Sequence, residues 1–135
     1  HGEALPLDNA GETSRDFIFV EDIVRGLIAC ALKGQPGEAY NLATGREVTI
    51  RELADLINSE TGNVAPHDLR PARDWDKSGR RFGDPTKSRD KLGFEAGVRI
   101  DEGIARTVAW TRENLLRIKT CMAKHAARTN ISAYI

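Results

Sequence analysis

With 20 basic and 20 acidic residues among its 135, the chain carries no net charge, whereas nucleic-acid binders usually show a basic excess or stripe. A content of 40% hydrophobic and 30% charged residues is that of an ordinary soluble globular protein, and the length suits one domain. No apolar run reaches membrane-spanning length, and the opening HGEALPLDN lacks the charged, apolar and small-residue pattern of a signal peptide. Cys30 and Cys121 are far apart, and no Cys/His cluster has metal-ligand spacing. Both cysteines read as free thiols of a reducing cytoplasm.

In chain order, RDFIFV (15–20) is short, aromatic and β-branched, and predicts a strand. The helix after it carries Ile23, Val24, Leu27, Ile28, Ala31 and Leu32 as a wide apolar face, and Gly34 ends it. AYNLA (39–43) predicts a second short strand, closed by Thr44-Gly45. Thr49, followed three residues later by Glu52, forms a capping box for the next helix. That helix buries Ile50, Leu53, Ala54, Leu56 and Ile57, and Gly62 stops it as a left-handed residue would. Residues 63–83 read mostly as loop, with a strand near 64–69. Asp84-Pro85 opens a short helix, the aspartate as cap and the proline in the first helical position; Gly93 ends it and Phe94 folds back. Ile104, Val108, Thr111, Leu115, Ile118 and Met122 mark one face of a long helix from about Asp101. The pattern fades after Met122 into a frayed end and a tail.

Strands alternate with helices, so the class is α/β. Three short strands are few. They suit a small lobe with about four helices, the last one long, better than a full doubly wound sheet. The chain contains no G-x-G-x-x-G, no Walker loop, no H-E-x-x-H and no G-x-S-x-G. Tyr40 and Tyr134 both lack a lysine four residues on. The tandem Arg80-Arg81 ahead of Gly83 and a helix start suggests an anion.

Three blocks, GETSRDFIFVEDIVRGLIACAL, GEAYNLATGREVTIRELADLI and RRFGDPTKSRDKLGFEAGVRIDEGIARTVAWTRENL, stand in an order and spacing that resembles the extended short-chain dehydrogenases. More narrowly, they resemble the sugar-nucleotide epimerase/dehydratase group. The likeness runs from about Ala4 to Leu115 and covers that family's C-terminal half. It implies a substrate-binding lobe over 1–118, with 119–135 as a helix extension and tail. It implies that NAD and the catalytic Tyr-x-x-x-Lys pair belong to an N-terminal half that this sequence lacks. No catalytic residue is then expected here, and the chain alone should bind no NAD and turn nothing over. The expected partners are a nucleoside diphosphate sugar and the NAD-binding half; dimerisation is open, and neither nucleic acid nor membrane is expected. The family's chemistry is transient oxidation at sugar C4, followed by reduction from the other face (as in UDP-glucose 4-epimerase) or loss of water (as in dTDP-glucose 4,6-dehydratase). A second reading is a non-catalytic nucleotide-binding or interaction module built on the same lobe.

The resemblance gives roles to four residues. Arg81 and Arg15 would clamp the diphosphate, because guanidinium forks match phosphate oxygens and stay charged. Asp84 would accept from ribose hydroxyls, and Asn41 would line the same pocket. Taken alone, Arg81 is a surface arginine, Asp84 a helix cap, and Arg15 a partner for Asp16 or Asp22. Asp22 itself reads as structural, in a helix first turn that favours negative charge. Trp110 reads as packing, Trp75 is unassigned, and His67 and His125 read as surface residues. Three places depart from the family pattern. Asp8-Asn9 stand where relatives have an aromatic residue and a glycine, beside the nucleotide base. Arg99 replaces a capping serine. Arg80 has no assigned contact.

Overall fold

A computed structural model describes residues 2–76 and 79–129, without the side chains of 126–129. Among these residues there are five short strands, five α-helices and one 3-10 turn. Strand β1 (Pro6–Asp8) leads into the turn at Asn9–Gly11. After β2 (Ser14–Arg15) comes helix α1 (Val20–Lys33). Next are β3 (Val48–Thr49), α2 (Ile50–Thr61), β4 (Asp68–Arg70) and β5 (Arg80–Arg81). Helices α3 (Thr86–Leu92), α4 (Ile100–Glu113) and α5 (Leu115–Thr129) complete the chain. The class is α/β, as the alternation implies.

Two small sheets organise these elements. β1 pairs in parallel with β4, and β2 lies between antiparallel β3 and parallel β5. α2 packs against α4, and α1 against α3. The described core is small: Leu7, Ala43, Val48, Ala54, Leu92 and Phe94 are its buried apolar residues.

The helix ends follow the sequence closely. The Thr49 hydroxyl accepts from the Glu52 N–H at 3.1 Å, and the Glu52 carboxylate accepts from the Thr49 N–H at 2.7 Å. Gly62 closes α2 at φ 69°, where a side chain would be strained. Thr49→Ala should therefore cost about 0.5–2 kcal/mol, read as a lower urea midpoint. An unchanged midpoint would mean that α2 starts elsewhere. Gly93 closes α3 in the same left-handed conformation, and Phe94 folds back to donate to the Ser88 carbonyl.

Several expectations need correction. The strand expected at 15–20 is confined to Ser14–Arg15, because its neighbours β3 and β5 each offer only two residues. Residues 39–43 join no ladder at all. The strand expected near 64–69 lies at Asp68–Arg70, and the tandem arginines, expected in a loop, form β5. The single long helix is two. Its break is at Asn114, where the backbone N–H and the side-chain amide both donate to the Trp110 carbonyl, at 3.0 and 2.9 Å. Pro85 occupies the cap position of α3 rather than its first turn. Asp84, one residue further out, still accepts from the Thr86 N–H at 2.9 Å. Trp110 is 54% exposed, not packed. Asn58 and Asp55 contact the largely covered His67 ring. The tail beyond Thr129 lies outside the described residues.

Asp22 is structural, as read. It is buried near the start of α1 and accepts from the backbone N–H groups of Gly97 and Val98 and from Arg25. It thereby ties α1 to the loop that leads into α4.

Candidate functional site

The tandem arginines split in function because successive strand residues point to opposite faces. Ser14 is the register partner of Arg80, and Arg15 that of Arg81. Arg80 turns to Glu47 and grips it with two bonds, Nε to Oε1 at 2.7 Å and Nη2 to Oε2 at 2.5 Å. The Ser14 hydroxyl donates to the same carboxylate. This is the contact for Arg80 that the sequence did not supply. The other register pair, Arg15 and Arg81, leaves the sheet on the opposite side. Among the described residues the Arg81 side chain makes no hydrogen bond or ion pair, and it is exposed.

Arg15 points into a cleft of about 450 Å³ whose lining includes Asp8, Asn9, Thr13, Ile50, Arg73 and Asp76. Its guanidinium donates to the Ser14 and Gly79 carbonyls at 2.7 and 3.2 Å and lies 3.7 Å from Asp76. It pairs with neither Asp16 nor Asp22. Asp16 instead accepts from the Thr44 and Gly45 N–H groups and the Thr44 hydroxyl. Across the cleft, Arg73 pairs with Asp8 and lies 5.3 Å over the Trp75 ring. Asn9 and Ala10 both take φ 51°, unusual for residues with a side chain. Asp8 and Asn9, departures from the family pattern, thus line the cleft. Arg73 and Asp76 were missed. Their only signal was the charged, aromatic run ARDWDK inside a presumed loop.

Asn41 and Asp84 are joined directly: the Asn41 amide donates to the Asp84 carbonyl at 3.2 Å. Gly83 makes this approach possible. A β-carbon there would meet the Ala43 β-carbon at 2.7 Å, closer than such atoms come. The four residues singled out by sequence therefore form two linked pairs, Arg15 with Arg81 and Asn41 with Asp84. The β5–α3 segment connects them. Only Arg15 lines the cleft itself.

The hydrogen bonds to Glu47, first from Arg80 and then from Ser14, lower its pKa from 4.5 to about 2. Folding depresses this pKa. The stabilisation is therefore complete above the unfolded value and lost as pH falls from 4.5 toward about 2. Glu47→Gln should lower the urea midpoint at about pH 7 and approach wild type at about pH 3. A gap that stays constant across that range would show that the ion pair does not hold β2 and β5 together.

Comparison with known proteins follows the same lines. Residues 2–107 match the family model described as GDP-mannose 4,6 dehydratase. The chain belongs to this family of NAD-dependent sugar-nucleotide epimerases and dehydratases. A dTDP-glucose 4,6-dehydratase of Streptomyces antibioticus is 34% identical over 114 residues, 84% of this chain and 34% of that protein. The Bordetella bronchiseptica enzyme WbmF, solved with NAD+ and UDP, is 50% identical with a TM-score of 0.81, over 93% of this chain and 37% of that one. UDP-glucose 4-epimerase from Thermotoga maritima, solved with UDP-glucose, is 34% identical with a TM-score of 0.79, over 84% of this chain and 36% of that one. The chain thus spans about a third of the length of these family members and matches their C-terminal portion.

The family's dinucleotide does not fit the described residues. Its diphosphate needs a glycine-rich turn opening a helix. Here α1, α2, α3 and α4 open after Phe19, Thr49, Pro85 and Arg99. No helix among the described residues is long and apolar enough to cross a membrane.

Proposed function

We propose that this chain is the part of an NAD-dependent sugar-nucleotide epimerase or dehydratase that holds the nucleoside diphosphate sugar. Arg15 and Arg81 grip the diphosphate, Asp84 accepts from ribose hydroxyls, and Asn41 lines the same pocket and steadies the turn that carries Asp84. One observation carries the reading: the two arginines are register partners on adjacent parallel strands, so two guanidiniums leave the sheet on one face. Arg15 is already oriented by backbone carbonyls at the cleft wall, while Arg81 has no competing partner among the described residues. That leaves a charged fork available for a phosphate oxygen. The UDP and UDP-glucose in the solved relatives are the ligands such a pair would suit.

The chain's share of the activity is binding and orientation. Its sequence has no Tyr-x-x-x-Lys spacing and no G-x-G-x-x-G, so no redox step is assigned to it. Calorimetric titration of UDP into the chain should give saturable binding, and NAD with UDP-glucose should give no product above background. Absence of UDP binding would reject the reading, and NAD-dependent product from the chain alone would reject its division of labour.

A further inference from the structure

Three polar side chains of the cleft take no part in gripping a diphosphate: Asp8, Asn9 and Arg73. Arg73 pairs with Oδ2 of Asp8, and Asn9 follows Asp8 in the chain. A carboxylate only accepts, and its two oxygens hold about four lone-pair sites, so Asp8 keeps accepting capacity beside Arg73. The Trp75 ring, 5.3 Å beneath the Arg73 guanidinium, is a second contact that limits where that donor can go. Among the described residues the Asn9 side chain makes no hydrogen bond.

The turn that carries these groups gives a second, independent observation. Asn9 and Ala10 both have φ 51°, a conformation that residues with a β-carbon seldom adopt and that the surrounding contacts must hold. Those contacts are on the backbone. The Asn9 N–H donates to the Pro71 carbonyl at 3.3 Å, and the Asn9 carbonyl accepts from the Glu12 N–H at 3.0 Å. The Ala10 carbonyl accepts from the Arg51 guanidinium at 2.6 Å. With these backbone groups engaged, what the turn offers a ligand is the side chains of Asp8 and Asn9.

We infer that Asp8 selects the base of the nucleotide: it takes a base whose pairing edge carries a protonated ring nitrogen, such as uracil or thymine, and refuses cytosine. The inference rests on the diphosphate reading, because Arg15 and Asp8 line one cleft and a phosphate at Arg15 brings the rest of the nucleotide along it. Uracil presents an acceptor, a donor and an acceptor: O4, N3–H and O2. Asp8 accepts from N3–H, while Arg73 and the Asn9 amide donate to the flanking carbonyls. Cytosine presents a bare N3, whose lone pair would face the carboxylate with no proton between them. A site built around such a donor rejects the analogue that lacks it, because its own polar group is left unpaired. Sliding cytosine until its amino group reached Asp8 would draw the diphosphate away from Arg15. The choice belongs to this chain: an aromatic residue and a glycine, which the family pattern has at 8 and 9, offer neither carboxylate nor amide.

The test is calorimetric titration of UDP and CDP, which share ribose and diphosphate and differ only in the base edge. UDP should bind roughly ten- to hundredfold more tightly than CDP. Asp8→Asn should bring the two affinities together, because the amide keeps an oxygen for uracil N3–H and can turn its NH2 toward cytosine N3. Arg81→Ala should weaken both ligands and leave their ratio unchanged, which separates the base from the diphosphate. If the melting curve shows that Asp8→Asn does not fold, Arg73→Gln must narrow the ratio in its place, since a glutamine oxygen accepts from the cytosine amino group. Equal affinity for UDP and CDP in wild type, or the same ratio in wild type and Asp8→Asn, overturns the inference and leaves the diphosphate reading standing. So does an Asp8→Asn variant that keeps the ratio but loses UDP-glucose, because Asp8 would then face the sugar. Binding of neither nucleotide rejects both.

Discussion

Replacing Arg81 by alanine is expected to weaken UDP binding roughly ten- to hundredfold, the loss of a charge-assisted pair of about 1.5–3 kcal/mol. Arg81 is exposed, and no protein partner among the described residues holds it. Its removal should therefore leave the melting curve within about 0.5 kcal/mol of wild type. Affinity and stability separate at this residue, which makes it a clean test. Arg81→Lys should recover only part of the affinity, because an ammonium keeps the charge and loses the fork. Arg80→Ala should do the reverse: it breaks the grip on Glu47, lowering stability with little change in affinity. Calorimetric titration of UDP with melting curves reads both. Equal affinity in wild type, Arg81→Ala and Arg81→Lys would leave Arg81 a surface residue and reject the diphosphate clamp.

The largest loss of stability is expected at Asp22. Its carboxylate is buried and accepts from Gly97 N–H at 3.0 Å, Val98 N–H at 2.9 Å and the Arg25 guanidinium. Asp22→Ala strands two backbone donors, each costing about 1–3 kcal/mol when buried, so the loss should reach roughly 2–6 kcal/mol. Asp22→Asn keeps an oxygen for both N–H groups and loses only the pairing with Arg25, whose side chain is half exposed. It should therefore cost much less. Burial pushes the Asp22 carboxyl up, but the bonds from Val98, Arg25 and Gly97 outweigh it and hold the pKa below its usual 3.8. The stabilisation is present above that value and lost as pH falls through the depressed one. Urea denaturation of the two variants tests this. An Asp22→Ala midpoint equal to wild type would mean that the 97–98 loop is anchored by other contacts.

Signals carried by a few neighbouring residues were legible without a structure. The Thr49/Glu52 box, the left-handed stops at Gly62 and Gly93, the fold-back of Phe94 and the α/β class all follow from local chemistry. Arg15, Asn41, Arg81 and Asp84 were singled out through the three blocks that resemble the family. Local signals failed where a strand needed a partner. RDFIFV and AYNLA have strand composition, but a strand exists only where another backbone completes its hydrogen bonds, and here the neighbours are two residues long or missing. The helix break at Asn114 was not legible either, because the apolar period runs on through it.

Sequence alone singled out Arg15 and Arg81 as candidates for a diphosphate, and it determined the capped start of α2 and the left-handed ends of α2 and α3. Only the tertiary structure decided that Arg80 and Arg81 do different things. Adjacent in the chain, they project to opposite faces of a strand, one onto Glu47 and the other beside Arg15. The pairing of β2 with β5 joins segments some 65 residues apart, and register is a property of two strands together. No window of sequence contains it.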